Sequence, residues 1–202
     1  KKACYRLAMP SPGAAPSVVI RHLPGWLSAE HATALQQQLL QQVPWQVHRI
    51  RMFGRWVDSP RLSCWMGDPQ ARYRYSGATF EAAPWLPALL PLRDRLQDAL
   101  QVPFNSVLLN RYRNGADGMG WHSDDEPELG LAPVIASLSV GDARRFVLRQ
   151  RAAPAVKQEF LLQHGDLLVM AGATQQLCQH ALPKTAKAVG ERINLTFRHI
   201  IG

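Results

Sequence analysis

Two periodicities divide this chain. In its first half apolar residues recur twice at helical spacing. Ala32, Leu35 and Leu39 form one stripe, with Ser28 placed as N-cap and Glu30 in the first turn, so a helix is expected from Ala29 to about Gln42. Leu89, Leu92, Leu96 and Leu100 form the second and predict a helix over Trp85 to about Gln101. Ahead of both, the β-branched run Ser17–Leu23 predicts a first strand. From Ser106 onward no long helical stripe remains. Short runs at 106–113, 133–140, 144–150, 158–163, 166–171, 176–182 and 191–200 are separated by Gly, Pro and Asp turns. Strands of this kind predict a sandwich, a barrel or a jelly roll. The expected class is α+β, mainly β.

The final run alternates most cleanly. Arg192, Asn194, Thr196 and Arg198 share one face of a strand, while Ile193, Leu195 and Phe197 share the other. If the apolar face packs under the helices, two guanidiniums point into the mouth of the barrel. Burying them is costly unless anions meet them, and the planar fork of arginine suits a carboxylate. A dicarboxylate ligand accounts for such a face; solvated arginines on an outward face are the alternative. Asn110 and Tyr112 repeat the same i, i+2 arrangement.

Composition adds a partner class. Hydrophobic residues make up 47% and charged residues 19%, ordinary for a globular protein, but the net charge of +8 favours an anionic partner, nucleic acid first. Arg49, Arg51, Arg55 and Arg61 are interleaved with Phe53, Trp56 and Trp65, and Phe53-Gly54 fits a tight turn between two strands. Basic groups neutralise phosphates, and an aromatic at a hairpin tip can wedge between bases. The plain alternative is an amphipathic hairpin whose aromatics are core. Cys4, Cys64 and Cys178 are far apart and odd in number, which argues against a disulfide framework and for a reducing compartment. No apolar run reaches the ~20 residues that cross a bilayer. Residues 1–16, with Pro10, Pro12 and Pro16, read as a flexible arm, and 17–202 as one domain, with a recognition region at 46–80 and a core at 105–202.

The candidate chemistry is metal binding. His122 and Asp124 are two apart, and a distant histidine such as His180 would complete a two-His, one-carboxylate face, which leaves positions open for a cosubstrate and oxygen. His164-Gly165-Asp166 repeats the spacing, but its glycine fits a turn between strands.

Taken together, Asn110-x-Tyr112, His122-x-Asp124-Asp125-Glu126, Pro133-x-Ile135-Ala136-Ser137-x-Ser139, His180 and Arg192-x-Asn194-x-Thr196-Phe197-Arg198 resemble the AlkB-type Fe(II)/2-oxoglutarate dioxygenases, closest to the branch that prefers double-stranded DNA. The resemblance runs from about Arg51 to the C-terminus and takes in Phe53-Gly54-x-Trp56, Pro60-Arg61 and Tyr73-x-Tyr75-Ser76-Gly77. It implies a double-stranded β-helix, the jelly roll form, with N-terminal helices and a nucleotide-recognition hairpin. It implies Fe(II) on His122, Asp124 and His180. It implies 2-oxoglutarate held by Asn110, Tyr112, Arg192, Asn194, Thr196 and Arg198, with the far carboxylate on Arg198. Asp125 matches a residue that addresses the exocyclic nitrogen of a damaged base, with Glu126 beside it. Tyr75 matches an aromatic that stacks on the flipped base, where phenylalanine or tryptophan is more usual, and Tyr73 is its polar neighbour. Phe53 and Arg61 match a finger and an arginine that contact duplex DNA.

The activity so implied is oxidative demethylation of 1-methyladenine and 3-methylcytosine in DNA. It consumes O2 and 2-oxoglutarate and releases formaldehyde, succinate and CO2. A methyl on the Watson–Crick edge disrupts pairing, which lowers the cost of flipping the base. The expected partner is a duplex with a flipped alkylated base, with RNA as the alternative, and the expected state is a monomer in a bacterial cytoplasm or a eukaryotic nucleus. The rivals are the same chemistry on RNA, protein or lipid, and a nucleic-acid-binding module without catalysis. A hydrolytic zinc site lacks an evident general base and leaves the arginine-bearing strand unexplained.

Overall fold

The computed structural model describes residues 17–52, 55–75, 78–152 and 156–201; at 50–52, 55–56, 72–75 and 78–81 it describes the backbone alone. The expected N-terminal arm and the Phe53-Gly54 turn lie outside the described residues.

The chain opens with β1 (Val18–Leu23) and α1 (Ala29–Gln42). Ser28 caps α1 as expected, its side chain accepting from the His31 N–H. A hairpin follows, β2 (Gln46–Met52) with β3 (Arg55–Gly67), then a second of β4 (Arg72–Tyr75) with β5 (Ala78–Glu81). The second helix, α2 (Leu90–Leu100), starts later than the apolar stripe predicts. Leu86 is held extended before Pro87, as a residue preceding proline prefers, and a single 3-10 turn over Pro87–Leu89 comes first. Then come β6 (Ser106–Tyr112), β7 (Met119–His122), β8 (Ile135–Gly141), β9 (Arg144–Gln150), β10 (Lys157–Leu162) and β11 (Leu167–Gly172). A one-turn helix, α3 (Thr174–Leu177), shortens the run expected at 176–182 to β12 (Cys178–Leu182), and β13 (Arg192–Arg198) closes the chain.

Two sheets build the jelly roll. The larger has the order β1-β11-β8-β13-β6-β3-β2 and the smaller β10-β9-β12-β7, so β7 lies on the rim of the smaller sheet. Strand alternation sorts their side chains. Leu35 and Leu39 of α1 and Leu92, Leu96 and Leu100 of α2 pack in one core with Val107, Leu109, Leu138, Val140, Val169, Ile193, Leu195 and Phe197. The opposite faces of the same strands look inward, where Ile135, Leu168 and Met170 meet Phe146, Leu148 and Leu162 of the smaller sheet. Ile193, Leu195 and Phe197 are wholly buried under the helices, which commits Arg192, Asn194, Thr196 and Arg198 to the space between the sheets. No described helix is long and apolar enough to cross a membrane.

Candidate active site

The register of the smaller sheet sets the two histidines side by side. His180 on β12 pairs directly with His122 on β7, and their rings stand 4.2 Å apart at 63°. The His122 Nδ1–H donates to the Gly120 carbonyl at 2.9 Å, which leaves Nε2 as its ligand atom. Asp124 lies in the loop after β7. The chain holds it twice: its backbone N–H donates to Gln175 Oε1 at 2.9 Å, and its Oδ1 accepts from Arg198 Nη2 at 2.6 Å. The ligand atoms of His122, Asp124 and His180 lie within 4.8 Å of one another. Among the described residues no other group of three His, Cys, Asp or Glu gathers in this way.

The protonation states fit a metal. Burial, reinforced by the neighbouring His122, pulls His180 down to about 3, so its imidazole is neutral at physiological pH. Burial opposes ionisation of Asp124, but Arg198 and the two imidazoles outweigh it and hold its carboxyl below the usual aspartate range. Two imidazoles and one carboxylate form the facial set that non-haem iron takes. The donor set fits the group.

Strand β13 supplies the adjoining wall. Asn194 pairs with Asn110 of β6 on one side and Ser139 of β8 on the other, and Arg192 pairs with Tyr112. Arg192 is 1% exposed. One of its Nη atoms donates to Ser139 Oγ at 2.8 Å and Asn194 Oδ1 at 3.0 Å, while its Nε is buried without a hydrogen-bond partner. Burial lowers its pKa to about 10, so it stays cationic at neutral pH. A buried guanidinium with an unused donor is costly, and an anion at this point relieves the cost. The guanidiniums of Arg192, at 5.4 Å, and Arg144, at 5.9 Å, both lie over the phenol ring of Tyr112. Asn194 also accepts from Ser137 Oγ and donates to Thr196 Oγ1. All six expected cosubstrate residues and all three metal ligands line one cavity of ≈ 440 Å³ of atom-free space, part of it open to solvent.

The two arginines of this face have different partners. The far carboxylate of the cosubstrate was expected on Arg198. In the structure Arg198 is ion-paired with the metal carboxylate, whereas the buried Arg192 sits with Tyr112 and Ser139. Alternation alone puts both arginines on one face and does not say which of them lies at the metal end.

The residues expected to meet substrate are less uniform. Asp125 is half exposed beside the triad and accepts from Arg151 at 3.0 Å. Glu126 has one carboxylate oxygen buried without a hydrogen-bond partner. Arg61 donates its Nε to Asn110 Oδ1 at 2.8 Å, and its charge reaches the Tyr112 phenol, so it backs two residues that line the cavity. Phe53 and the side chains of Tyr73 and Tyr75 lie outside the described residues. His164-Gly165-Asp166 is the turn it was read as: Gly165 has φ +86°, His164 Nδ1 accepts from the Gly141 N–H, and Asp166 binds His22 and the Gly25 N–H. Sequence reasoning missed Gln175 and Arg144. The Arg144 guanidinium, 2% exposed, donates to the carbonyls of Asn114, Asp117 and Pro183 and underlies Tyr112.

A family model described as the 2OG-Fe(II) oxygenase superfamily matches residues 19–198. The alpha-ketoglutarate-dependent dioxygenase alkB homolog 3 of Bos taurus is 38% identical over 209 residues, covering 99% of this chain and 71% of the relative. Its Homo sapiens counterpart is 40% identical over 186 residues, covering 88% and 64%. The chain therefore spans about two thirds of the length of these relatives. The DNA oxidative demethylase ALKBH2 of Bos taurus is 41% identical over 160 residues, covering 76% and 58%. A solved structure titled "The structure of OsALKBH1" superposes with a TM-score of 0.60 at 19% identity, over 89% of this chain and 97% of that one, a likeness of fold.

Proposed function

This chain belongs to the 2OG-Fe(II) oxygenase superfamily, and on that premise we propose that it is an oxidative demethylase of N-alkylated bases in DNA, with 1-methyladenine and 3-methylcytosine as substrates. The observation that carries the reading is the meeting, in one cavity, of the His122–Asp124–His180 triad with the buried and incompletely satisfied Arg192. Similarity to ALKBH2, a DNA oxidative demethylase, supports DNA as the substrate, as does the net charge of +8.

Bound iron, 2-oxoglutarate and dioxygen would supply the oxidising power that hydroxylates an N-methyl group, with succinate, CO2 and formaldehyde as the products. The chain's own residues orient and select. Arg192, Ser139 and Tyr112 take the far carboxylate of 2-oxoglutarate; Arg198, Asn110, Asn194 and Thr196 line its path toward the triad. Arg198 also neutralises Asp124 and keeps it anionic as a ligand. Asp125 offers an acceptor to the exocyclic nitrogen of a lesion that is cationic when methylated at N1 of adenine or N3 of cytosine. Glu126 stands next to it, Tyr75 stacks on the flipped base with Tyr73 alongside, and Phe53 enters the duplex. The free, buried Cys64 and Cys178 accord with a reducing compartment, a bacterial cytoplasm or a eukaryotic nucleus. The working state is a monomer.

The test is a substrate panel of methylated single- and double-stranded DNA and RNA, with formaldehyde and succinate measured for each. DNA is expected to lead. Turnover confined to RNA moves the substrate class, and the absence of succinate with every substrate removes the enzymatic reading.

A further inference from the structure

Asp125 does not stand alone. Arg151 Nη2 donates to Asp125 Oδ2 at 3.0 Å and to Ser123 Oγ at 2.8 Å. Ser123 Oγ in turn donates to the Cys178 carbonyl at 2.7 Å, and the Arg151 backbone N–H donates to the Leu177 carbonyl at 2.8 Å. Ser123 lies between the ligands His122 and Asp124, and Cys178 lies two residues before His180. The guanidinium is thus tied at both its main chain and its head to the segments that carry the triad. A solvated surface arginine has no such anchorage.

We infer that Arg151 is a specificity-determining residue that acts through Asp125: it neutralises the carboxylate that receives the flipped base and so moderates the preference for cationic over neutral lesions. The inference rests on the demethylase reading above. With Arg151 in place, the carboxylate is already compensated when a neutral base such as 3-methylthymine or 1-methylguanine enters. A neutral base therefore leaves no unpaired charge behind it. A cationic base such as 3-methylcytosine meets the same carboxylate but faces a second positive charge across it, and gains less than it would from Asp125 alone. Both partners are about half exposed, which limits the effect to that of a screened ion pair.

A double-mutant cycle tests this. kcat/KM is measured for 3-methylcytosine and 3-methylthymine in the same single-stranded DNA, with the parent protein, Arg151→Gln, Asp125→Asn and the double variant. Fluorescence anisotropy of the same oligonucleotides with metal-free protein supplies a binding ratio independent of turnover. Arg151→Gln is expected to raise the cationic-to-neutral ratio roughly two- to fivefold, chiefly through KM, and added salt should shrink the gain. In the Asp125→Asn background the same substitution should leave the ratio where it was. Two results overturn the inference: an unchanged ratio in Arg151→Gln, which includes an equal loss on both lesions, or a shift that survives Asp125→Asn. A parent protein that releases formaldehyde from neither lesion removes the demethylase reading and this inference together. An active parent with a flat ratio removes the inference alone.

Discussion

Arg198 Nη2 lies 2.6 Å from Asp124 Oδ1, so the last residue of the cosubstrate strand ends on the carboxylate of the metal triad. Both side chains are largely buried, and breaking such a pair from one side leaves an uncompensated charge that costs about 3–5 kcal/mol. Arg198→Met is therefore expected to lower folding stability by roughly that amount in urea titrations and to weaken Fe(II) binding. Asp124→Ala should abolish formaldehyde release from a methylated oligonucleotide. Retained turnover in Asp124→Ala would show that the ligands are misassigned.

Arg192 behaves differently because it pairs with no carboxylate among the described residues. Its substitution by methionine removes a buried charge with an unused donor, and an apolar group of similar length is tolerated there. Thermal stability without cosubstrate should hold or rise. The stabilisation that 2-oxoglutarate gives the parent protein, about 2.7 kcal/mol at a hundredfold excess over Kd, should disappear. A variant that melts early but is still rescued by 2-oxoglutarate would place the far carboxylate elsewhere.

One acid-sensitive contribution to stability should trace to Asp166. Burial opposes its ionisation, but the backbone N–H groups of Gln163 and Gly25 and the His22 ring together hold its pKa below the ordinary 3.8. A carboxyl whose folded pKa is depressed contributes stability above its unfolded pKa and loses it as pH falls through the folded value. The contribution is thus full at neutral pH and fades below 3.8. Asp166→Asn should be less stable than the parent at neutral pH, and the gap should narrow below that point. Urea midpoints at neutral and acidic pH measure it; a constant gap would mean that Asp166 acts through shape alone.

Phe53→Ala is expected to lower turnover on duplex substrates more than on single strands, because a wedge is needed only where bases are stacked in a helix. Equal losses on both would remove the finger role.

The sequence exposed the faces of β13 because a strand repeats every two residues, and seven residues are enough to make the alternation plain. It exposed α1 through its cap and stripe, but placed the start of α2 too early, because Pro87 and Pro91 intervene where leucine spacing alone looks continuous. Register was not legible. That His122 faces His180 across two strands, and that Arg198 rather than Arg192 reaches Asp124, follow from how the sheets close. Gln175 left no local signal: its side chain accepts one backbone N–H from Asp124, 51 positions away, and any residue with a carbonyl at that point would look as unremarkable in the chain.

The placement of β7 on the rim of its sheet carries a mechanical consequence. This strand has four residues and, among the described strands, one neighbour, β12, so no described strand braces its outer edge against fraying. Both histidines of the triad sit across that single seam, so an ion gripping them rivets the rim to the interior. Amide hydrogens at Met119 to His122 should accordingly exchange far more slowly once iron is loaded, and the catalytic metal doubles as a fastener for an open margin of the barrel.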